Sequence, residues 1–242
     1  METVRIFVGY DRDEALAFSV FAHSVHRRAS LPVSVTPLML AQLRGIFTRE
    51  RDPLQSTEFA FTRFLVPHLC AYDGWAIFAD GDMLCRADIA GLWALRNERY
   101  AVQVVKHDYT PRESAKFLGR RQLAYPRKNW SSVMLFNCAR CRWLTPELVA
   151  EAGGLDLHQF RWLPDGERIG GLPAAWNHLV GVGAPAPDAK IAHFTLGMPF
   201  FYGYAECEFA GEWRDEREAM MAYRGRGDEG TLLESRMAAS GR

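Results

Sequence analysis

The segment Trp75-Ala76-Ile77-Phe78-Ala79-Asp80-Gly81-Asp82 constrains this chain more than any other. An unbroken apolar run of this length suits a strand buried on both faces. It stops abruptly at two carboxylates with one glycine between them. In an extended chain residues i and i+2 face the same way, so the strand end delivers Asp80 and Asp82 to a common site. Gly81 lets the backbone turn or lets a ligand approach closely. Two neighbouring hard oxygen donors suit Mg²⁺ or Mn²⁺, with phosphate oxygens completing the shell. The competing role for such a pair is a solvated turn that caps the following helix.

The rest of the chain alternates strand and helix patterns. Val4 to Gly9 is apolar, β-rich and ends in glycine. Asp13 to Arg28 places Leu16, Val20, Phe21 and Val25 at helical spacing. Val33 to Val35 predicts a second strand, and Gln42 to Leu54 a loop. Thr57 to Leu69 reads as a helix with Phe59, Phe61, Phe64 and Leu65 in the core. After the strand ending at Asp80 come a helix from about Asp88 to Arg96 and strands at Tyr100 to Val105 and Val133 to Phe136. Thr145 to Ala152 predicts a short helix stopped by Gly153-Gly154. Leu163 to Pro187 is mostly loop, Ile191 to Phe194 a late strand, and Trp213 to Tyr223 an amphipathic helix. This alternation predicts an α/β fold, a mostly parallel mixed sheet flanked by helices. With no repeat and no linker, residues 1–223 read as one domain and 224–242 as a flexible tail.

The chain of 242 residues is 48% hydrophobic with zero formal net charge, enough to bury a sizeable core. Balanced charge gives no basis for nucleic acid as a partner. No apolar stretch reaches the ~20 residues needed to span a bilayer, and Met1 to Arg5 lacks the pattern of a signal peptide. The odd, scattered set of five cysteines suggests reduced thiols in a cytoplasm. Cys138-x-x-Cys141 has no second pair at zinc spacing and reads as structural. These features predict a cytoplasmic protein, free or at the periphery of the inner membrane.

In an open α/β sheet, ligands gather at the carboxyl ends of strands. Asp80 and Asp82 belong there, as do Gly9, Tyr10 and Asp11 after the first strand. Tyr10 could stack on a base and Asp11 accept from a ribose; alternatively Asp11 caps a helix and Tyr10 simply packs. The polar stretch from His107 to Asn129 resembles an active-site insertion. Lys106, His107 and Asp108 follow one strand, and Asn129, Ser131 and Ser132 precede another, as paired donors and acceptors for a hydroxyl-rich ligand. Trp130 could wall that ligand or belong to the core, and Lys128 could reach a phosphate or stay at the surface.

Several segments, in order, resemble glycosyltransferase family 8, the family of glycogenin and bacterial lipopolysaccharide galactosyltransferases. They are Phe7 to Asp11, Ser56 to Phe59 leading into Thr62 to Pro67, Ala79 to Asp82, Asn129 to Asn137, Leu172-Pro173 through Trp176-Asn177, and His193-Phe194-Thr195 with Gly197. The resemblance covers roughly residues 4–204. It implies the GT-A fold, a Rossmann-like nucleotide-diphospho-sugar transferase architecture. It also implies a nucleotide-sugar donor, UDP-linked, and transfer with retention to a glycan, lipid-linked saccharide or small-molecule acceptor. By the same resemblance Asp80, Asp82 and His193 bind Mn²⁺ or Mg²⁺. Imidazole leans the set toward Mn²⁺; standing alone, His193 would read as a core histidine. Gly9, Tyr10 and Asp11 hold the nucleoside. Arg63 lies over ribose or diphosphate, or pairs with Glu58 or Asp80. Lys106, Asn129, Ser131 and Ser132 serve the donor, and Gln159 stands by the reacting sugar face.

The chain also departs from that family. His158-Gln159 stands where Asp-Gln is usual, Met198-Pro199-Phe200 where Lys-Pro-Trp is usual, and Ser132 where glycine is usual. The departures motivate a non-catalytic alternative, a sugar-nucleotide or glycan-binding relative. A second alternative is a haloacid-dehalogenase-like phosphatase with Asp80 as nucleophile and Asp82 as acid/base. The sequence leaves the oligomeric state open.

Overall fold

The structure, a computed structural model, describes residues 2–50, 55, 57–108, 125–164 and 168–222. The expected tail at 224–242, the middle of the polar insertion at 109–124, and Ser56 lie outside the described residues.

Strands β1 (Val4–Gly9), β2 (Val33–Leu38) and β3 (Trp75–Ala79) pair in parallel. Strand β4 (Met83–Cys85) follows β3 but leaves its sheet. Strands β5 (Val102–Val104), β6 (Val133–Asn137) and β7 (Gly170–Gly171) complete the main sheet, in the order β2-β1-β3-β6-β5-β7. Only β6 runs against its neighbours. The sheet is therefore mixed and mostly parallel, as the alternating pattern predicts.

The strand residues divide between two cores with period two. Trp75, Ile77 and Ala79 pack on one face with Val4, Ile6, Val8, Val133 and Leu135, covered by helix α1 (Ala15–Arg28). Ala76 and Phe78 pack on the other with Val104, Met134 and Phe136, under Phe59, Phe61, Phe64 and Leu65. Such two-sided burial explains why these strands read as continuous apolar runs.

Helix α1 corrects one expectation. Its buried stripe is Ala17, Val20, Phe21, Ser24 and Val25, while Leu16 is 36% exposed. Small residues at 17 and 24 let the helix approach β4, where the Ser24 hydroxyl oxygen accepts the Cys85 amide at 3.0 Å. The expected helix over 57–69 is also replaced. The chain turns through Thr57 to Phe61, forms a 3-10 turn at Thr62–Leu65, and makes one α turn, α2 (Val66–Leu69). Every residue from 57 to 67 is buried, so tertiary packing on all sides overrides the helical spacing. Pro67 cannot donate to an α turn before it. The helix expected over 88–96 shortens to α3 (Ala90–Trp93), with Asp88 accepting the Ala90 amide at 2.9 Å.

Helix α4 (Pro146–Glu151) is capped by the Thr145 hydroxyl. The two glycines do not merely stop it: Gly153 precedes a further helix, α5 (Gly154–His158). Strand β8 (His178–Leu179) and strand β9 (Ile191–His193) join β4 in a second sheet, in the order β4-β9-β8. Helix α6 (Ala210–Met221) begins a turn earlier than the periodicity predicts. It seats Trp213 in a third core and buries Glu216 against Arg28 at 2.7 Å and His23 at 2.6 Å.

All five cysteines are free thiols, and burial pushes Cys85 up to about 12. None of the described helices is long and apolar enough to cross a membrane.

Candidate active site

The Asp80-Gly81-Asp82 turn is the passage from the main sheet to the second sheet. Asp80 follows β3, and its amide donates to the Ser132 carbonyl at 2.9 Å, extending the β3–β6 ladder. Asp82 precedes β4, and its carbonyl accepts the Phe194 amide at 2.9 Å. Register then settles the third member, because Met83 lies opposite His193 in the β4–β9 pair. His193 Nε2 lies 3.3 Å from Asp82 Oδ1 and 3.8 Å from Asp80 Oδ2. Its other ring nitrogen is hydrogen-bonded to Asn177 at 3.0 Å.

Of the two roles expected of Gly81, room for a turn of the backbone or for a ligand, the structure shows a close approach of backbone to backbone. A Cβ there would stand 2.4 Å from the Gly9 carbonyl oxygen. The main chain of β1, not a ligand, occupies the space that glycine leaves. Gly81→Ala is expected to force the turn off β1 and to cost about 1–3 kcal/mol, measured by urea denaturation. An unchanged midpoint would show that the two backbones part freely.

Among the described residues, Asp80, Asp82 and His193 form the one group able to offer three metal-ligand atoms mutually within 4.8 Å. Two carboxylates and an imidazole, aimed at one point by three strand ends, fit a divalent cation. Arg63 lies on the other side of Asp80. Its Nη1 forms an ion pair with Asp80 Oδ1 at 2.8 Å and donates to the Ser131 carbonyl at 2.9 Å. The guanidinium carbon stands 5.2 Å from the Phe59 ring centre and 5.0 Å from that of Phe78, so the cation is held by aromatic faces as well as by charge.

A cleft opens beside this group. It is lined by Arg63, Asp80, Asp82, Asn129, Ser131, Ser132 and His193, all singled out from the sequence, together with Lys128. Thr57, Phe59, Ala60, Tyr125, His158 and Thr195 also line it. The Ser131 hydroxyl lies 2.8 Å from His158 Nδ1. Burial, and then the nearby Arg63 and Lys128 charges, hold His158 well below the ordinary histidine range, so its ring is neutral. Thr57 Oγ1 and Asn129 Nδ2 are buried with no hydrogen-bond partner among the described residues.

The other expected residues are not among those lining this cleft. Gly9 packs under Phe59, whose ring a Cβ would meet at 2.3 Å. Tyr10 sits edge-on to Phe18, 5.6 Å between centres. Asp11 caps the turn after β1, accepting the Asp13 amide at 3.0 Å, and also accepts the Glu58 amide at 3.2 Å. It thereby holds the segment whose Thr57 and Phe59 line the cleft. Lys106 is exposed, with its ammonium 5.9 Å from the Trp130 ring centre. The Gln159 side chain accepts from Arg161 at 2.9 Å. At the end of β5, the His107 carbonyl accepts the Trp130 indole N–H at 2.8 Å. Burial, with His193 and His178 nearby, pushes the His107 ring down to about 4.

Three of the cleft residues the sequence reading left out had a signal. His158 was visible as the departure from Asp-Gln, Thr195 as part of the His-Phe-Thr segment, and Thr57 as part of the Ser-Thr-Glu-Phe segment. Tyr125 had none beyond its place in the polar insertion.

The fold has solved counterparts. The galactosyltransferase LgtC, in complex with donor and acceptor sugar analogs, superposes with a TM-score of 0.61 at 12% identity, over 91% of this chain and 97% of that one. The glycosyltransferase GlyE of Streptococcus pneumoniae gives 0.61 at 11% identity, over 99% of this chain and 64% of its own. The bifunctional glycosyltransferase WbbM gives 0.53 at 14% identity, and this chain spans only about half of it, 51%. The fold is the GT-A glycosyltransferase fold. No protein-family model matches the chain, so the narrower likeness to glycosyltransferase family 8 stays with the motif order. In sequence, Protein CDI of Arabidopsis thaliana is 48% identical over 223 residues, 88% of this chain and 86% of that protein. At that identity over nearly the whole of both, the chain belongs to the family of Protein CDI.

Proposed function

We propose that the protein is a metal-dependent glycosyltransferase. Residues 1–223 form its catalytic domain, which moves a sugar from a nucleotide donor, UDP-linked, to a glycan, lipid-linked saccharide or small-molecule acceptor. The observation that carries this reading is the meeting of Asp80, Asp82 and His193 at the junction of the two sheets, beside a polar cleft, in a GT-A fold. Retention of configuration follows from the resemblance to glycosyltransferase family 8.

Asp80, Asp82 and His193 would hold Mn²⁺, which supplies neutralisation of the charge that develops on a departing diphosphate. Arg63 and Lys128 add fixed positive charge at the same cleft. Arg63 also holds Asp80 in place through its 2.8 Å pair. Thr57, Asn129, Ser131 and Ser132 offer hydroxyl and amide groups to the donor. His158, neutral and hydrogen-bonded to Ser131, presents a compact uncharged wall where the related family carries a carboxylate. The phosphatase alternative requires Asp80 as a nucleophile, and the Arg63 pair on Oδ1 with His193 beside Oδ2 leaves that oxygen pair poorly disposed for attack.

Calorimetric titration with a panel of nucleotides and nucleotide sugars, with and without Mn²⁺, tests the proposal. UDP or a UDP-sugar is expected to bind only when Mn²⁺ is present, and slow metal-dependent hydrolysis of the bound sugar nucleotide separates an enzyme from a binding relative. Folded protein that binds no nucleotide overturns the proposal.

A further inference from the structure

The Leu-Pro and Trp-Asn segment has no part in the reaction set out above, yet its last residue is buried beside the metal ligands. Asn177 is 0% exposed. Its side chain lies 3.0 Å from His193 Nδ1, 2.8 Å from Ser132 Oγ and 3.4 Å from the Asn129 carbonyl oxygen. These partners dictate which way the amide faces. The Asn129 carbonyl can only accept, and the Ser132 hydroxyl already donates to it at 2.6 Å. Both therefore call for the Asn177 NH₂ group. The amide oxygen is left for His193, and because that oxygen only accepts, Nδ1 carries a proton. Nε2 is then the ring nitrogen left to face a cation between Asp80 and Asp82.

We infer that Asn177 is the positioning residue of this metal centre. It holds a proton on His193 Nδ1, locks the ring so that Nε2 points at the aspartate pair, and ties that ring through its NH₂ to the 129–132 turn lining the cleft. Its backbone placement is equally determined, since Asn177 immediately precedes β8, whose Leu179 lies opposite His193. This inference rests on the metal reading proposed above. Partners of this kind, which orient a ligating imidazole from outside the metal's own shell, commonly contribute 10–100-fold to metal affinity.

The test is a cycle of Mn²⁺ titrations on the wild type, Asn177→Leu, His193→Ala and the double variant. Asn177→Leu is expected to weaken Mn²⁺ binding by about 10-fold or more, and to add nothing once His193 is alanine, because Asn177 acts through that ring. Equal losses in both backgrounds would make Asn177 a general structural prop and overturn the inference, as would unchanged affinity in Asn177→Leu. Nitrogen-15 NMR of the His193 ring in metal-free wild type tests it independently of whether the variant folds. A proton on Nδ1 is expected, and a bare Nδ1 overturns the inference. Wild type that binds no Mn²⁺ while Nδ1 is protonated would instead refute the metal reading and, with it, the role assigned to Asn177.

Discussion

Replacing Asp82 by alanine is expected to reduce Mn²⁺-dependent turnover of a UDP-sugar by about 10³-fold, the equivalent of roughly 4 kcal/mol of lost charge stabilisation. Asp82 is 6% exposed and faces His193 at 3.3 Å, so in the proposed metal centre it would contribute a shielded carboxylate ligand. The fold should survive. The residue stands in a turn between two sheets, and the ladder bond it anchors uses its main-chain carbonyl, not its side chain. Circular dichroism and gel filtration should therefore match the wild type while metal affinity collapses. A variant that retains metal-dependent turnover would remove Asp82 from the reaction.

The second large effect concerns Arg63. Its guanidinium and the Asp80 carboxylate are both largely shielded, with side-chain exposures of 7% and 13%. Removing one partner of such a pair leaves an uncompensated charge in a poorly solvated place, which typically costs about 3–5 kcal/mol. Arg63→Leu is expected to lose stability near the lower end of that range, because Asp80 keeps some contact with water. Mn²⁺ should then stabilise the variant more than the wild type, since a cation between Asp80 and Asp82 replaces the missing counter-charge. Urea denaturation with and without Mn²⁺ reads both effects. Equal stabilisation of the two proteins by Mn²⁺ would mean that Arg63 and the metal do not share Asp80.

Both predictions turn on residues whose types are legible in the chain, and whose meeting is expected only through the order of motifs, not from any local pattern. The run from Trp75 to Ala79 announces a central strand because apolar continuity is a local property, and the Asp-Gly-Asp that ends it follows directly in sequence. The bounds of β1 and the alternation of strand and helix are likewise local, and they suffice for an α/β fold with carboxylates at a strand end. Helix α1 is legible in the same way, but its buried stripe is shifted by one position. The approach of β4 selects Ala17 and Ser24 over the larger Leu16, and β4 has only three residues, too few to show a period of its own.

Everything that turns the two aspartates into a site came from long-range pairing. The second sheet exists because β9 accepts β4 on one side and the two-residue β8 on the other, and that register sets His193 opposite Met83. The segment from Thr57 to Pro67 forms turns and not the expected helix under long-range constraint, from packing on all sides and from Asp11 holding the Glu58 amide. Helix α5 delivers His158 and turns Gln159 toward Arg161. The sequence by itself determined the fold class and the chemistry of the carboxylate pair, since both reside in short continuous runs. Tertiary structure alone decided that Arg63 grips Asp80, that Asn177 orients His193, and that Asp11 braces the cleft wall. Each of those contacts joins residues distant in the chain, whose proximity depends on strand register and helix packing rather than on local pattern.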